Sequence, residues 1–235
     1  MFMHTQTYIR RRSQLETYFD RTAADAWAKL TSDAPVGRIR ATVRAGRDEM
    51  RNTLLDWLPE DLKGKTLLDA GCGTGMLAVE AAKRGAKVTA IDLSQTLVDL
   101  ARERTPSILG GGSVEFLVGD MLDQDLGTFD HAVIMDSLIH YNADDAVHSL
   151  ANVASRIEGS ILFTYAPRTP LLAAMHTVGK VFPRGNRSPA IVPVAPNALH
   201  RKIAGKDTLA DWRTDRTHRV ANGFYISQGL ELKRR

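Results

Sequence analysis

Cysteine and long apolar runs are almost absent from this sequence of 235 residues. Its single cysteine, Cys72, excludes an intramolecular disulfide and favours a reducing compartment. No stretch approaches the roughly 18 apolar residues that a transmembrane helix needs, and residues 1–20 lack the apolar core of a secretory signal. We therefore expect a soluble cytoplasmic protein, in contact with a membrane at most peripherally.

Acidic residues are missing from one long segment, 159–206, which lies between Glu158 and Asp207. The same segment holds seven lysines and arginines, whereas the whole chain has a formal charge of only +4. A run of this kind is either a solvated face or a surface that meets anions, such as nucleic acid, anionic lipid or a small acidic substrate. Six of the nine prolines fall within residues 167–196. We predict that residues 167–206 form a cap inserted after the preceding strand.

Apolar residues at helical intervals mark two segments near the N-terminus. Residues 13–30 and 36–58 repeat apolar side chains every three or four positions, with a break expected near residues 20–22. Pro59 follows the expected end of the second segment. These patterns predict a helical N-terminal arm, 1–58, in front of a domain formed by residues 59–235.

Strand and helix signals alternate through the middle of the chain. The stretches "KTLLDA", "KVTAIDL", "VEFLVGD", "FDHAVIMD" and "GSILFTYAP" predict five buried strands. Residues 76–84, 95–104 and 143–157 predict helices, the last two capped by Ser94 and Asn142. Two further strands, "DWRTDRTHRV" and "GFYISQGLELKRR", are joined by a turn at 222–223. The pattern predicts an α/β fold with a seven-stranded, mostly parallel sheet whose last strand is antiparallel.

The stretch "LLDAGCGTG", residues 67–75, predicts a loop that brings the backbone close to a ligand. Gly71, Gly73 and Gly75 alternate, so the spacing differs from G-x-G-x-x-G, and the lysine of a phosphate-binding Walker loop is missing. Asp69, just before the glycines, would repel a pyrophosphate. It favours a ligand that carries a positive charge and no phosphate.

Two further acids follow the second and third predicted strands. Asp92 is placed to accept both hydroxyls of a ribose. Asp120 is placed to accept a hydrogen bond from an adenine amino group, with Met121 packing beside it. Each aspartate alone is compatible with a turn or a helix cap, but the carboxyl ends of parallel strands share one edge of a sheet. The acids and the glycine loop together therefore predict one binding site.

These motifs resemble those of a known class of enzymes. "LLDAGCGTG", "AIDLS" and "GDM" are similar to the binding motifs of class I S-adenosylmethionine-dependent methyltransferases, whose sheet also ends on an antiparallel strand. The resemblance implies a Rossmann-like fold, S-adenosylmethionine as cosubstrate and no protein-bound metal. The cosubstrate would be held by Asp69, Gly71, Gly73, Gly75, Asp92, Leu93, Asp120, Met121 and Asp136.

The segment after the fourth strand reads "MDSLIHY" rather than the N/D-P-P-Y/F signature of enzymes that methylate amino groups of adenine or glutamine. This difference argues against methylation of such an amino group. Because the end of the fourth strand usually faces the methyl group in this class, His140 and Tyr141 are placed near the reaction centre. A lone histidine is often a structural hydrogen-bonding residue, but its position after the fourth strand favours a catalytic role.

The whole chain is similar to the magnesium-protoporphyrin IX methyltransferases of (bacterio)chlorophyll synthesis. The resemblance is carried by "QLETYFDRTAADAWAKL", "FDHAVIMDSLIHY", "ILFTYAPRTPLLAAMHTVGKVFPRGNRSP" and "GFYISQGLEL". It implies methyl transfer to the 13-propionate of Mg-protoporphyrin IX, with Tyr18 and His140 as the catalytic pair. Without the resemblance, the helical pattern favours Tyr18 as a core-facing aromatic residue beside Phe19.

The resemblance also implies a substrate and partners. The magnesium belongs to the porphyrin, the porphyrin-binding subunit of Mg-chelatase is an expected partner, and the cytoplasmic face of photosynthetic membranes is an expected contact. The residues expected to bind the porphyrin are Tyr141, Arg168, His176, Lys180, Arg184 and Arg187. Two other functions stay open at this point, namely an O-methyltransferase of another small molecule, such as a quinone-pathway phenol, and a non-catalytic Mg-porphyrin carrier. Methylation of nucleic acid is disfavoured because aromatic residues are not interleaved with the basic ones.

Overall fold

The computed structural model describes residues 5–21, 24–32, 34–168 and 190–235. Four residues predicted to bind the substrate, His176, Lys180, Arg184 and Arg187, lie outside the described residues, so their roles stay predictions.

Three helices form the predicted N-terminal arm: α1 (Gln6–Arg21), α2 (Ala24–Leu30) and α3 (Arg38–Trp57). Helix α1 begins seven residues before the predicted start and buries Tyr8 together with Leu15. Helix α3 ends before Leu58, which is extended (ψ 159°) because the following residue is Pro59. The helical nature of the arm is confirmed. The break predicted near residues 20–22 does not include residues 20 and 21, which are helical, and residue 22 lies outside the described residues.

Seven strands form one sheet in the order β3-β2-β1-β4-β5-β7-β6. They are β1 (Thr66–Ala70), β2 (Lys87–Asp92), β3 (Ser113–Val118), β4 (Phe129–Ile134), β5 (Ile157–Tyr165), β6 (Trp212–Asn222) and β7 (Tyr225–Arg234). Strands β1 to β5 are parallel, and β7 runs antiparallel between β5 and β6. The predicted fold is confirmed.

The remaining helices connect the strands: α4 (Met76–Lys83), α5 (Gln95–Arg104), α6 (Ala143–Ala154) and α7 (Pro196–Ala204). The Ser94 hydroxyl accepts a hydrogen bond from Leu97 N at 3.2 Å, and Asn142 Oδ1 accepts one from Asp145 N at 2.9 Å, so both predicted caps are confirmed. Helix α6 ends three residues earlier than predicted because Ile157 already pairs with β4.

Helices cover both faces of the sheet. In β1, Leu67 faces the core shared with α3 and α4, whereas Leu68 faces the core shared with α1 and α6. This alternation is the period of two of a strand buried on both faces. The carboxyl edge of the parallel strands carries the predicted binding motifs and faces the helices of the arm.

The C-terminal hairpin turns one residue later than predicted. Asn222 pairs with Tyr225, so Gly223 and Phe224 form the turn, and Gly223 has a φ of 56°. A Cβ atom on Gly223 would lie 2.3 Å from the Thr42 hydroxyl oxygen of α3, so this position also allows close packing of the arm.

The C-terminal part of the predicted cap returns to the core. Val194 forms a bridge with Pro167, and Val192 N donates to Ile139 O at 2.8 Å. Leu199 and Ile203 of α7 then pack in the core that contains α6. The boundaries of arm, domain and cap stay predictions. Among the described residues, no helix has the length and apolar character required to cross a membrane.

Candidate active site

A cavity of about 530 Å³ opens at the carboxyl edge of β1 to β4 and is closed from the other side by the three helices of the arm. Most of the predicted site residues line it: Asp69, Gly71, Gly73, Asp92, Leu93, Asp120, Met121, Asp136, His140 and Tyr141. Gly75, Tyr18 and Arg168 do not line this cavity. The structure therefore brings the predicted cosubstrate motifs together at one place.

The glycine loop approaches two neighbouring segments closely. Gly71 has a φ of 80°, and a Cβ atom at this position would lie 1.7 Å from the Ser137 hydroxyl oxygen. Gly75 precedes α4, and a Cβ atom there would lie 2.8 Å from the ring of Phe116 on β3. Gly71 thus keeps the cavity wall close to the end of β4, whereas Gly75 serves packing between the loop and the sheet.

Two carboxylates lie beside the glycine loop, Asp69 buried and Asp92 half-buried. Asp69 is 1% exposed, and its Oδ2 atom has no hydrogen-bond partner within the described structure. Burial and the charge of Asp92 raise the pKa of Asp69 to about 7. Asp92 accepts hydrogen bonds from Gly73 N (2.8 Å) and Ser94 N (2.9 Å), while burial raises its pKa. A cationic ligand would neutralise this pair, and the donor set therefore fits S-adenosylmethionine.

Asp120 is held by the first helix of the arm. The Tyr8 hydroxyl donates to Asp120 Oδ1 at 2.6 Å, and Arg12 lies 3.4 Å from Oδ2. The Tyr8 ring stacks on Tyr141, with centroids 5.0 Å apart and planes inclined by 18°. Tyr8 was not among the predicted site residues, although its spacing of seven residues from the buried Leu15 follows the helical period.

Asp136 anchors the third helix of the arm. Its carboxylate contacts the Arg47 guanidinium at 2.5 Å and accepts a hydrogen bond from the Tyr225 hydroxyl at 3.0 Å. The Arg47 guanidinium also lies over the Trp27 ring, 4.6 Å from its centroid. The backbone of Asp136 has a φ of 55°, with its N–H bonded to the Thr164 hydroxyl at 2.7 Å. No sequence motif marks these partners, because they come from separate elements.

His140 lies in the short 3₁₀ turn 138–140, buried at the wall of the cavity. Its ring packs edge-on against Phe19, with centroids 6.0 Å apart. Tyr18 is half-buried and touches Phe19 with its own ring. Phe19 lines the cavity together with Leu15, four residues before it, whereas Tyr18 does not line it. The catalytic roles of Tyr18 and His140 stay predictions.

Arg168 is exposed just beyond β5, and its backbone N–H donates to Val194 O at 2.9 Å. Tyr165, the last residue of β5, is by contrast buried. Its predicted contact with the substrate is not tested by this position. Within the described residues, no group of three or more histidine, cysteine, aspartate or glutamate side chains is arranged to hold a metal ion.

The fold and the site together define a class I S-adenosylmethionine-dependent methyltransferase. A general methyltransferase-domain family model matches residues 67–158. The structure is similar to that of magnesium protoporphyrin IX methyltransferase (ChlM) from Synechocystis PCC 6803 with bound SAH. The TM-score is 0.83 at 26% identity, and the match covers 95% of this chain and 100% of that chain.

The family can be defined more narrowly. A family model described as "Magnesium-protoporphyrin IX methyltransferase C-terminus" matches residues 134–234. The chain is 48% identical over 227 residues to the magnesium-protoporphyrin O-methyltransferase of Rhodobacter capsulatus, covering 96% of this chain and 98% of that one. It is 29% identical over 191 residues to a ubiquinone biosynthesis O-methyltransferase of Xanthomonas euvesicatoria, covering 78% of this chain and 77% of that one. The chain belongs to the magnesium-protoporphyrin O-methyltransferase family.

Proposed function

We propose that this protein transfers the methyl group of S-adenosylmethionine to the 13-propionate carboxylate of Mg-protoporphyrin IX in (bacterio)chlorophyll biosynthesis. The products are the monomethyl ester and S-adenosylhomocysteine. The observation that carries the proposal is the 48% identity to the Rhodobacter capsulatus magnesium-protoporphyrin O-methyltransferase over nearly the full length of both chains. The cavity supports it, because its buried acids suit a cationic methyl donor.

The reaction requires little acid–base chemistry. A propionate oxygen attacks the methyl carbon, the new C–O bond forms as the C–S bond breaks, and the positive charge on sulfur is lost. Since an unperturbed carboxyl group has a pKa of about 4, the nucleophile is already ionised near neutral pH. The protein therefore contributes mainly by aligning the carboxylate and the methyl group and by excluding water.

The predicted site residues would have different roles in this reaction. Asp69 and Asp92 would balance the charge and hold the ribose of the cosubstrate, and Asp120 would accept from its adenine. His140 would hydrogen-bond the incoming propionate, or deprotonate it if the acid enters protonated. Tyr18 belongs to the arm that closes the cavity, and in this proposal the arm acts as a lid.

The same proposal extends to partners and location. Delivery of the porphyrin by the porphyrin-binding subunit of Mg-chelatase, and peripheral contact with the cytoplasmic face of photosynthetic membranes, would suit a lipophilic substrate and product. The acid-free, basic segment 159–206 supports contact with an anionic surface. Cosedimentation with vesicles of anionic or neutral lipid tests the membrane contact, which is rejected if the protein sediments with neither.

The deciding experiment is a methylation assay of the purified protein with S-adenosylmethionine and Mg-protoporphyrin IX. Chromatography and mass spectrometry should find a monomethyl ester with an equimolar amount of S-adenosylhomocysteine, and NMR should place the ester on the 13-propionate. Binding of both ligands without ester formation would instead support a carrier. If the protein does not bind the porphyrin, the proposed substrate is rejected and only the assignment to the methyltransferase class stands.

A second candidate is methylation of a phenol, because the ubiquinone-pathway relative matches more than three quarters of the chain. An unperturbed phenol has a pKa of about 10 and needs a base, for which the cavity offers His140. Turnover of a catechol in place of the porphyrin, with loss of rate at low pH that disappears on replacing His140, would favour this candidate.

A further inference from the structure

Three residues stand side by side across the C-terminal part of the sheet. Tyr165 on β5 is paired with Gln228 on β7, and Gln228 is paired with Arg219 on β6. Residues directly opposite each other on neighbouring strands point to the same face. With strands about 4.8 Å apart, the row spans about 10 Å between its outer Cα atoms. We call these three residues the Arg219 row.

Hydrogen bonds fix the side chains within the row. Arg219 Nε donates to Gln228 Oε1 at 3.0 Å, and Gln228 Nε2 donates to the Thr217 hydroxyl oxygen at 2.7 Å. Thr217 in turn donates to Gly229 O at 2.9 Å. Gln228 is only 8% exposed, so its amide is a rigid support. The guanidinium of Arg219 is therefore held through Nε, while its two terminal nitrogens make no hydrogen bond within the described residues.

Arg219 also differs in charge pairing from the other arginines of β6. Arg213 lies 3.9 Å from Asp215, and Arg216 contacts Glu231 at 2.6 Å. Arg219 has no carboxylate partner in the part of the chain that the structure describes. The neighbouring strand of the sheet beyond β7, β5, contributes a single acid, Glu158, at its start. A guanidinium that is fixed but not neutralised is a binding site for an external anion, and its planar fork suits a carboxylate.

Tyr165 places one end of the row at the strand end that borders the cavity. It is 4% exposed and directly follows Thr164, whose hydroxyl accepts a hydrogen bond at 2.7 Å from the backbone N–H of Asp136, a residue of the cavity wall. Its hydroxyl makes no hydrogen bond within the described structure. Burial raises the pKa of this hydroxyl, although Arg219 lowers it in part, so the hydroxyl stays protonated and is available as a donor. The row thus leads from the outer edge of the sheet towards the cavity.

We propose that Arg219, supported by Gln228 and assisted by the Tyr165 hydroxyl, binds the carboxylate of the substrate that is not methylated. This inference rests on the proposed function, whose substrate carries two propionates on neighbouring rings. Holding one carboxylate at the edge of the sheet presents the other to the methyl donor. The row would therefore determine which propionate becomes the ester.

The first test measures KM and kcat for Arg219→Met, which removes the charge from an exposed side chain. The KM for Mg-protoporphyrin IX should rise about tenfold, as expected for one lost charge-assisted contact, while the KM for S-adenosylmethionine should stay within twofold. Arg219→Lys should recover part of the loss. Arg213→Met is the matched control, because it removes an exposed arginine of the same strand and should behave as the unaltered protein.

The second test uses a substrate in which the other propionate is already a methyl ester. The unaltered protein should bind this compound about tenfold more weakly than the diacid, and Arg219→Met should bind both equally weakly. The proposal is overturned if Arg219→Met matches Arg213→Met, or if it weakens diacid and ester alike. Should the unaltered protein produce no ester at all, the proposed function fails, and titration of the two porphyrins by absorbance still decides whether Arg219 binds a carboxylate.

Discussion

The guanidinium of Arg47 and the carboxylate of Asp136 form an ion pair at 2.5 Å that joins the arm to the end of β4. Both side chains are largely shielded from solvent, with 19% and 6% exposed. The same guanidinium stacks on Trp27, and the carboxylate also accepts from Tyr225. One arginine therefore holds two helices of the arm and two strand ends around the cavity.

Replacement of Arg47 by methionine should destabilise the protein and weaken the binding of S-adenosylmethionine. The change leaves the buried Asp136 carboxylate without its cation, at a cost of about 3–5 kcal/mol, which corresponds to a melting temperature lower by about 6–20 °C. Arg40→Met, on an exposed position of the same helix, is the control. Equal melting curves and equal cosubstrate affinities for the two variants would contradict the role of the ion pair.

Gly71→Ala should abolish binding of S-adenosylmethionine, because the new methyl group would lie 1.7 Å from the Ser137 hydroxyl oxygen. Gly64→Ala is a matched control, since Gly64 has a similar φ of 75° but no atom within 4 Å of the added carbon. In the control, the alanine should introduce only backbone strain. The protein should therefore lose about 1–2 kcal/mol of stability and keep its affinity for S-adenosylmethionine. Calorimetric titration measures both. Full affinity in Gly71→Ala would show that the close approach is unimportant.

The affinity for S-adenosylmethionine should rise with pH through the pKa of Asp69, which is about 7. Between pH 6 and pH 8 this carboxyl becomes ionised and attracts the cation, which gives a gain of about tenfold. In the ligand-free protein the raised pKa has the opposite effect. Between about pH 4, where this carboxyl ionises in the unfolded chain, and about pH 7, where it ionises in the folded protein, only the unfolded chain gains from ionisation, so the free energy of unfolding falls as pH rises. Asp69→Asn should remove both pH dependences, whereas Asp99→Asn, at an exposed position, should retain them.

Tyr8→Phe should lower the stability of the protein, and Tyr18→Phe should not. The Tyr8 hydroxyl donates to Asp120 at 2.6 Å from a buried position, so its loss should cost about 1–3 kcal/mol. The Tyr18 hydroxyl makes no hydrogen bond within the described residues. Thermal unfolding compares the two variants. A loss of turnover in Tyr18→Phe at unchanged stability would support the predicted catalytic role of Tyr18. Full activity in this variant would contradict that role.

His140→Ala should reduce kcat by about 100-fold or more if the imidazole contacts the acceptor carboxyl. The affinity for S-adenosylmethionine should change by no more than a few fold. His218→Ala, on the exposed strand β6, is the control for loss of an imidazole. Single-turnover rates at saturating substrates separate the chemical step from binding. An unchanged rate in His140→Ala would show that His140 lines the cavity without taking part in the reaction.

Local features of the sequence were sufficient for most of the fold. The alternation of strands and helices, the caps at Ser94 and Asn142 and the antiparallel last strand depend on contacts between near neighbours in sequence or on the period of burial. The meeting of Asp69, Asp92 and Asp120 was also predictable, because the carboxyl ends of adjacent parallel strands share one edge of the sheet.

The order of the elements, the glycine loop and the acids at the strand ends therefore follow from local sequence. Which side chains meet across the site depends on the packing of distant elements. Tyr8 and Asp120 are 112 residues apart, and Arg47 and Asp136 are 89 residues apart. Periodicity shows which face of a helix is buried but not what it is buried against, since that depends on how the arm docks on the sheet. The same reason explains why Phe19 rather than Tyr18 lines the cavity.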